Sequence, residues 1–201
     1  MNPSPEDLVW RRCEVAWMAH LAADGWLVTR LADAANNFAE AGAPLMQVDG
    51  RLLRAPDLQT TRDGRTEFWE VKFRSGADID SLTGQSEYWV SFDSFRDYFE
   101  IANVSGAPVR IILYDGEVWE NSRKWLVCDI GVIRDNGRSE RRYQADGQQI
   151  EAWVWPASVM GLINGPSVLV DPLPPVPLLQ PVAEEEAFPD EVVTLAERVL
   201  R

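Results

Sequence analysis

The chain has 201 residues, with 19 basic against 32 acidic side chains and a formal net charge of −13. Its 46% hydrophobic and 25% charged residues are the make-up of a soluble globular domain with a sizeable core, and no apolar run approaches the ~20 residues that span a bilayer. A single histidine, His20, excludes sites built on two or more imidazoles, and no phosphate-cradling glycine loop is present, so chemistry must rest on carboxylates, lysine, arginine, tyrosine or backbone.

Residues 5–23 are predicted to form an amphipathic helix, with Trp10, Glu14, Trp17, Met18 and Leu21 on one stripe and Gly25 closing it. WLVTRL (26–31) reads as a short strand. Residues 32–53 are ambiguous, a short helix over ADAANNFAEAG followed by an irregular stretch. RAPDLQT (54–60) and TEFWEVKF (66–73) read as two strands joined through Asp63-Gly64, a strong hairpin signal. Residues 74–90 read as a polar loop, 91–104 as a second helix capped by Ser91 or Asp93 and stopped by Gly106, and VRIILY (109–114) as a buried strand. From 117 to 155 the Trp- and Val-rich alternation, broken at Asn136-Gly137 and Asp146-Gly147, predicts further antiparallel strands. Seven of the 13 prolines fall between Pro166 and Pro189, which predicts an extended linker. Val192, Leu195, Ala196 and Val199 give 189–201 the stripe of a short last helix.

The order predicts an α/β (α+β) domain with a central mixed sheet flanked by helices. Its expected divisions are a core over 1–115, a β-rich extension over 116–165, a Pro-rich acidic linker over 166–188, and the C-terminal helix. Cys13 and Cys128 form no CxxC and the first residues carry no basic-then-apolar leader, so a cytoplasmic location is expected.

A two-residue turn at Asp63-Gly64 fixes the hairpin register, with facing residue numbers summing to 127. Asp57 then faces Glu70. Opposed residues have Cβ atoms ~4.5–5.5 Å apart, and two carboxylates there repel unless one is protonated or a cation lies between them. A divalent metal with hard oxygen ligands answers that problem. Alternation puts Trp69, Val71 and Phe73 on one side and Phe68, Glu70 and Lys72 on the other. Only two lysines occur, Lys72 and Lys124. A lysine inside a strand, where arginine is the default cation, suggests a compact ammonium that orients or deprotonates water, or neutralises charge on a phosphate. Two readings stand for Glu14: a further metal ligand or water holder, or the partner of Arg11 or an arginine elsewhere.

Pro56-Asp57, twelve residues, then Glu70-Val71-Lys72 on adjacent strands resembles the PD-(D/E)xK nuclease superfamily. RRCEVAWMAHLAADGWLVTRL resembles the first helix and strand of its Holliday-junction-resolvase-like and restriction-endonuclease-like branches, and YWVSFDSFRDYFEIANVSGAPVRIILY the helix and strand that close the core. The resemblance covers roughly residues 8–114 and implies a restriction-endonuclease-like core and an Mg²⁺- or Mn²⁺-dependent endonuclease. Asp57 and Glu70 would hold metal, the Val71 carbonyl would complete the shell, Lys72 would assist the water, and Glu14 would be the acid of the first helix. Some branches carry Gln-x-x-x-Tyr next; in this chain Gln85 meets Trp89 at that spacing, and Gln85 and Tyr88 are auxiliary candidates.

Arg51, Arg54, Arg62, Arg65 and Arg74 surround the expected site and would give phosphates a local landing strip. The partner implied is nucleic acid, DNA in preference to RNA, with a homodimer suited to cutting two strands. Tyr88, Trp89, Phe92 and Tyr98 are read as core or rim residues or as base-stacking groups. Against the enzyme stands the acidity. Residues 171–201 hold seven acids and two arginines, net −5, which leaves −8 for the rest. The rival reading is a catalytically silent nuclease-fold scaffold whose acidic, Pro-rich tail engages a protein partner in a larger assembly.

Overall fold

The computed structural model describes residues 5–31, 44–74, 77–115, 124–143, 147–166 and 168. The expected helix within 32–43 and the linker and last helix beyond 168 lie outside the described residues.

Helix α1 (Pro5–Ala23) precedes strand β1 (Leu27–Arg30), and a hairpin, β2 (Leu45–Val48) with β3 (Arg51–Arg54), comes next. Then follow β4 (Leu58–Arg62), β5 (Arg65–Arg74), β6 (Asp78–Ile79) and β7 (Ser86–Ser91). Helix α2 (Phe92–Ser105), β8 (Val109–Asp115), β9 (Lys124–Asp129), helix α3 (Ile130–Asn136), β10 (Arg138–Tyr143), β11 (Gln149–Pro156) and β12 (Gly161–Ile163) complete the described chain. Six strands form one mixed sheet in the order β1-β4-β5-β8-β9-β12, parallel only where β5 meets β8. Four more, β10-β11-β7-β6, form an antiparallel sheet. This is the expected α+β architecture, a mixed central sheet flanked by helices with an antiparallel β extension.

The central sheet is buried on both faces by alternation. On one face α1 packs through Trp17, whose ring lies 5.6 Å from Trp69 and 5.1 Å from Trp125. On the other, Phe68, Val109, Ile111 and Leu113 meet Phe95, Tyr98 and Ile101 of α2 in one cluster. Ser91 caps α2 by accepting from the Ser94 N–H at 3.3 Å, and Gly106 ends it in the left-handed region.

The turn at Asp63-Gly64 has φ of 52° and 75°, and a second Asp-Gly turn, Asp49-Gly50, has 47° and 77°. Both residues of such a turn take positive φ, which a glycine and an aspartate accept most readily. The first turn sets the expected register, with Leu58 opposite Trp69 and Gln59 opposite Phe68.

Four expectations are corrected. The irregular stretch read at the end of 32–53 holds the hairpin of β2 and β3, turned at Asp49-Gly50. The strand read over 54–60 is the end of β3 and the start of β4, parted at Ala55-Pro56, because proline supplies no ladder N–H. The loop read over 74–90 contains β6 and β7; Tyr88 and Val90 are buried, a short alternation hidden by the polar 80–86 stretch before it. Helix α3 lies inside the segment read as strands alone. Its Ile and Val residues favour strand, but the Asp129 carboxylate accepts from the Gly131 N–H at 2.8 Å and starts a helical turn.

The second sheet is bound by a buried carboxylate. Glu87 on β7 is 1% exposed. Its oxygens accept from Arg138 at 2.7 and 3.1 Å and from Arg142 at 2.9 Å, both on β10, so the pair of bonds spans β11. Glu87→Ala removes the one buried acceptor that the two guanidiniums share, leaving them Asp78, Asp80 and Glu140 as more exposed partners. Because both reach solvent, the expected loss is about 1–3 kcal/mol in urea denaturation; an unchanged midpoint would show the network to be energetically idle.

Candidate metal centre

The site lies where β4 begins. Backbone groups of Phe68, Glu70, Lys72 and Arg74 point toward β8, as the Phe68 N–H to Pro108 carbonyl bond of 2.9 Å shows. Those of Trp69, Val71 and Phe73 therefore point to the β4 edge. Pairing with β4 stops at Leu58–Trp69, yet β5 runs on to Arg74. The N–H and C=O of Val71 thus lose their ladder partners, and buried backbone groups need replacements. The Asp57 carboxylate (Oδ2) accepts from the Val71 N–H at 2.8 Å, and the Trp10 indole donates to the Val71 carbonyl at 2.9 Å. The Asp57 carbonyl accepts from the Leu31 N–H at 2.9 Å.

Asp57 and Glu70 line one cavity of about 300 Å³ together with Lys72, Glu14, Arg30 and Arg54. Glu70 is 2% exposed, and Lys72 forms an ion pair with its Oε1. Burial and the like charge of Glu70 push the Asp57 carboxyl well above the usual carboxylate range, against the opposing pull of Lys72 and the Val71 N–H. Burial alone would lower the Lys72 ammonium, but Glu70 and Asp57 outweigh it and raise its pKa. Lys72 is therefore held as a cation, a donor and charge-neutraliser rather than a base.

The donor set suits a hard divalent cation. Glu70 Oε2 is buried and makes no hydrogen bond of ordinary geometry among the described residues, although the Tyr98 hydroxyl stands beside Glu70 in the same cavity, and a cation would satisfy the oxygen. The Val71 carbonyl keeps a second lone pair beside its bond from Trp10. Among the described residues no group of three or more His, Cys, Asp or Glu side chains is placed to hold an ion. Two carboxylates and one carbonyl remain, the sparse set with which Mg²⁺ is often held, waters and phosphate oxygens completing its shell.

Glu14 is where the helix stripe puts it, 1% exposed. Both its oxygens are engaged by Arg30, Nε to Oε1 at 2.5 Å and Nη2 to Oε2 at 3.0 Å. Glu14 is thus paired with an arginine distant in sequence. Arg54 borders the cavity and donates to the Ser94 hydroxyl at 2.7 Å. Arg74 turns to Trp89, 4.9 Å over its ring, and bonds its carbonyl at 2.9 Å. Arg62 and Arg65 pair at the tip of the hairpin, about 16 Å along β4 from Asp57 at 3.3 Å per residue, and Arg62 lies 4.4 Å over Trp26. The landing strip is therefore split, with Arg54 at the cavity and Arg62 and Arg65 at the far end of the hairpin.

Gln85 and Tyr88 do not join the cavity. Tyr88 is buried and donates to Asp115 at 2.8 Å, while Gln85 borders a separate polar hollow with Glu87, Arg138 and Arg142. Trp89 stands where the Gln-x-x-x-Tyr pattern has its Tyr, and residues 86–91 form the strand β7 rather than a helix. Sequence reasoning missed Trp10 and Arg30 as site residues. Trp10 stands one helical turn before Glu14, which was a usable signal; Arg30 at the end of a four-residue strand offered only its charge.

No family model and no curated protein matches the sequence. Among solved structures, the chain is similar to a Holliday junction resolvase from Archaeoglobus fulgidus, at 17% identity over 75% of this chain and 85% of that one, TM-score 0.44. It is also similar to a nuclease from a fusselovirus, at 10% identity over 81% of this chain and 89% of that one, TM-score 0.44. Asp57, Glu70 and Lys72, rather than these likenesses, carry the function proposed next.

Proposed function

We propose that the protein is a metal-dependent nuclease that hydrolyses phosphodiester bonds, with DNA as the expected substrate. The observation that carries this reading is the convergence of Asp57, Glu70 and Lys72 on one cavity at the point where β4 leaves β5. Asp57 and Glu70 would hold Mg²⁺ or Mn²⁺, with the Val71 carbonyl as a third donor. When bound, such an ion stabilises charge on phosphoryl oxygens and favours water as a nucleophile near neutral pH.

The protein's own groups do the rest. The Val71 N–H fixes the Asp57 carboxylate, and Trp10 fixes the Val71 carbonyl, so both donors are preorganised before substrate arrives. Lys72, held charged, orients the incoming water and offsets charge that grows on the phosphate during attack. Arg54 at the rim supplies a contact for a flanking phosphate. The described chain offers one such site, and the proposal includes a pair of copies for cutting both strands of a duplex.

The test is a cleavage panel of plasmid, single strand, branched DNA and RNA with Mg²⁺ or Mn²⁺, run beside Asp57→Ala. The expected result is metal-dependent cutting of a DNA substrate that the variant lacks. Cutting by the variant at the wild-type rate would remove Asp57 from the mechanism.

A second reading has its own observation. The net charge is −13, and Arg51, Arg96, Arg110, Arg134, Arg138 and Arg142 are each engaged by a carboxylate rather than left to meet phosphates. That favours a silent scaffold that meets a protein partner. Absence of cutting across the whole panel would select it.

A further inference from the structure

The β2–β3 hairpin stands at the rim of the cavity, and the core accounts for only one of its faces. Pro44, Arg54 and Ala55 at its open end line the cavity, and the Ala55 N–H closes that end by donating to the Pro44 carbonyl at 2.7 Å. The inner face is spent on α2, with Val48 and Leu53 buried in the cluster of Phe95 and Tyr98 and Met46 packed against it. Two polar links hold the seat: the Arg54 N–H donates to Asp97 Oδ2 at 2.9 Å, and Arg51 pairs with Glu100. On the outer face Leu45 lies opposite Arg54, and Gln47 opposite Leu52. Leu45 is 51% exposed and Leu52 69%. One exposed leucine is ordinary, but these two are diagonal neighbours, ~7–8 Å apart, on a seated strand pair. The four outer positions hold an arginine and no acid, in a chain of net charge −13. The face is therefore an apolar shelf with a cation at its cavity end, complementary to a ligand that is anionic and flat-sided at once.

A stacked duplex turns sugars and phosphates outward and hides the faces of its bases, whereas an unpaired nucleotide offers both a phosphate and a bare face. From this juxtaposition we infer that the outer face of the hairpin seats an unpaired nucleobase beside the metal centre, with Leu45 and Leu52 against the base and Arg54 on its phosphate. The substrate class is then a nucleic acid whose strand is unpaired at the cut, free or within a duplex. The inference rests on the nuclease reading for what occupies the cavity. Leucine suits the task, since apolar side chains insert between bases where stacking opens, and every base has a face to offer. Leu52 stands two residues from Arg54, about 7 Å of strand, the reach of one extended nucleotide.

The test on the full chain is anisotropy of fluorescein-labelled DNA in Ca²⁺, as single strand, forked duplex and blunt duplex, beside Mn²⁺ calorimetry, thermal melting and sedimentation. The wild type is expected to bind single strand and fork about fivefold or more tightly than blunt duplex. Combining Leu45→Ser with Leu52→Ser should weaken binding of both roughly five- to fiftyfold, the range for losing the contact of one base. Blunt duplex should stay within about twofold, and Mn²⁺ uptake and the melting temperature should match the wild type, as exposed positions allow. Leu52→Trp should tighten single-strand binding, because an aromatic ring stacks on a base.

Equal losses on all three probes, or none, would overturn the inference, as would a wild type that prefers blunt duplex or binds no probe. Lower thermal stability with unchanged strand affinity makes the leucines part of the fold and overturns it too. A wild-type dimer that dissociates in the double variant, with strand affinity intact, gives the face to a second copy instead. A wild type that takes up no Mn²⁺ and cuts nothing, yet loses strand affinity with the leucines, would sink the nuclease reading and leave the shelf standing. Metal uptake and cutting with strand binding indifferent to the leucines would do the reverse.

Discussion

Lys72→Ala is expected to lower the rate of metal-dependent cleavage by about 10²–10⁴-fold, the range for removal of a positioned proton-handling or charge-stabilising group. Mn²⁺ uptake should survive, because Lys72 donates no lone pair while protonated and only competes with a cation for Glu70. The metal-free variant should also melt lower than the wild type. Glu70 is 2% exposed, and without Lys72 its charge is buried unpaired. Saturating Mn²⁺ should then recover the melting temperature, since an ion that binds only the native state stabilises it by mass action. Lys72→Arg should not restore cutting, because a planar fork on a longer stem does not occupy the place of a compact ammonium. Cleavage by Lys72→Ala at the wild-type rate would remove the residue from the chemistry.

Asp57→Asn is expected to behave in the opposite way in the absence of metal. It should abolish cutting and weaken Mn²⁺ uptake by roughly a hundredfold or more, yet raise the melting temperature of the metal-free protein at neutral pH. The amide oxygen can still accept from the Val71 N–H, while the repulsion from Glu70 disappears. The pH dependence has a definite sign. Burial and the charge of Glu70 hold the Asp57 pKa well above the ordinary aspartate value of 3.8. From that value up to the raised one, the native state binds more protons than the unfolded state. The contribution of Asp57 to metal-free stability is full below this window and is lost as pH rises through it. Metal uptake runs the other way, strengthening as pH rises, because the ion must displace the proton that the raised Asp57 carboxyl holds. A metal-free wild type whose stability gains from Asp57 with rising pH, judged against Asp57→Asn, would contradict this electrostatic picture.

The local code was legible where one strong signal sufficed. Asp63-Gly64 allowed one turn type, that turn allowed one register, and the register placed Asp57 level with Glu70 at the end of the ladder. The buried run VRIILY and the cap and stop of α2 at Ser91 and Gly106 followed from similarly local chemistry. What the sequence did not yield was long-range. Nothing in Ser86–Ser91 says that β7 pairs with β11 in a second sheet, since that depends on a partner more than sixty residues away. Arg30 is similar: its partner Glu14 stands on another element, and any of seventeen arginines had the right charge. Pro56 carried more information than expected. By holding off the start of β4 until Leu58 it leaves Val71 without ladder partners, and Asp57 and Trp10 take their place.

The acidity of the chain is compatible with a phosphate-handling site because the charges are local. Within the cavity the three acids are matched by three cations, so a divalent ion would turn a balanced site positive just where an anionic substrate must dock. Acidic surface elsewhere would confine nucleic acid to that spot.

Everything turns on Asp57 and Glu70 acting together on one cation, and titration of Mn²⁺ into wild type, Asp57→Ala and Glu70→Ala by calorimetry reads this directly. Saturable one-site uptake in the wild type that disappears in both variants is the predicted result. No uptake by the wild type, or undiminished uptake by either variant, would contradict it.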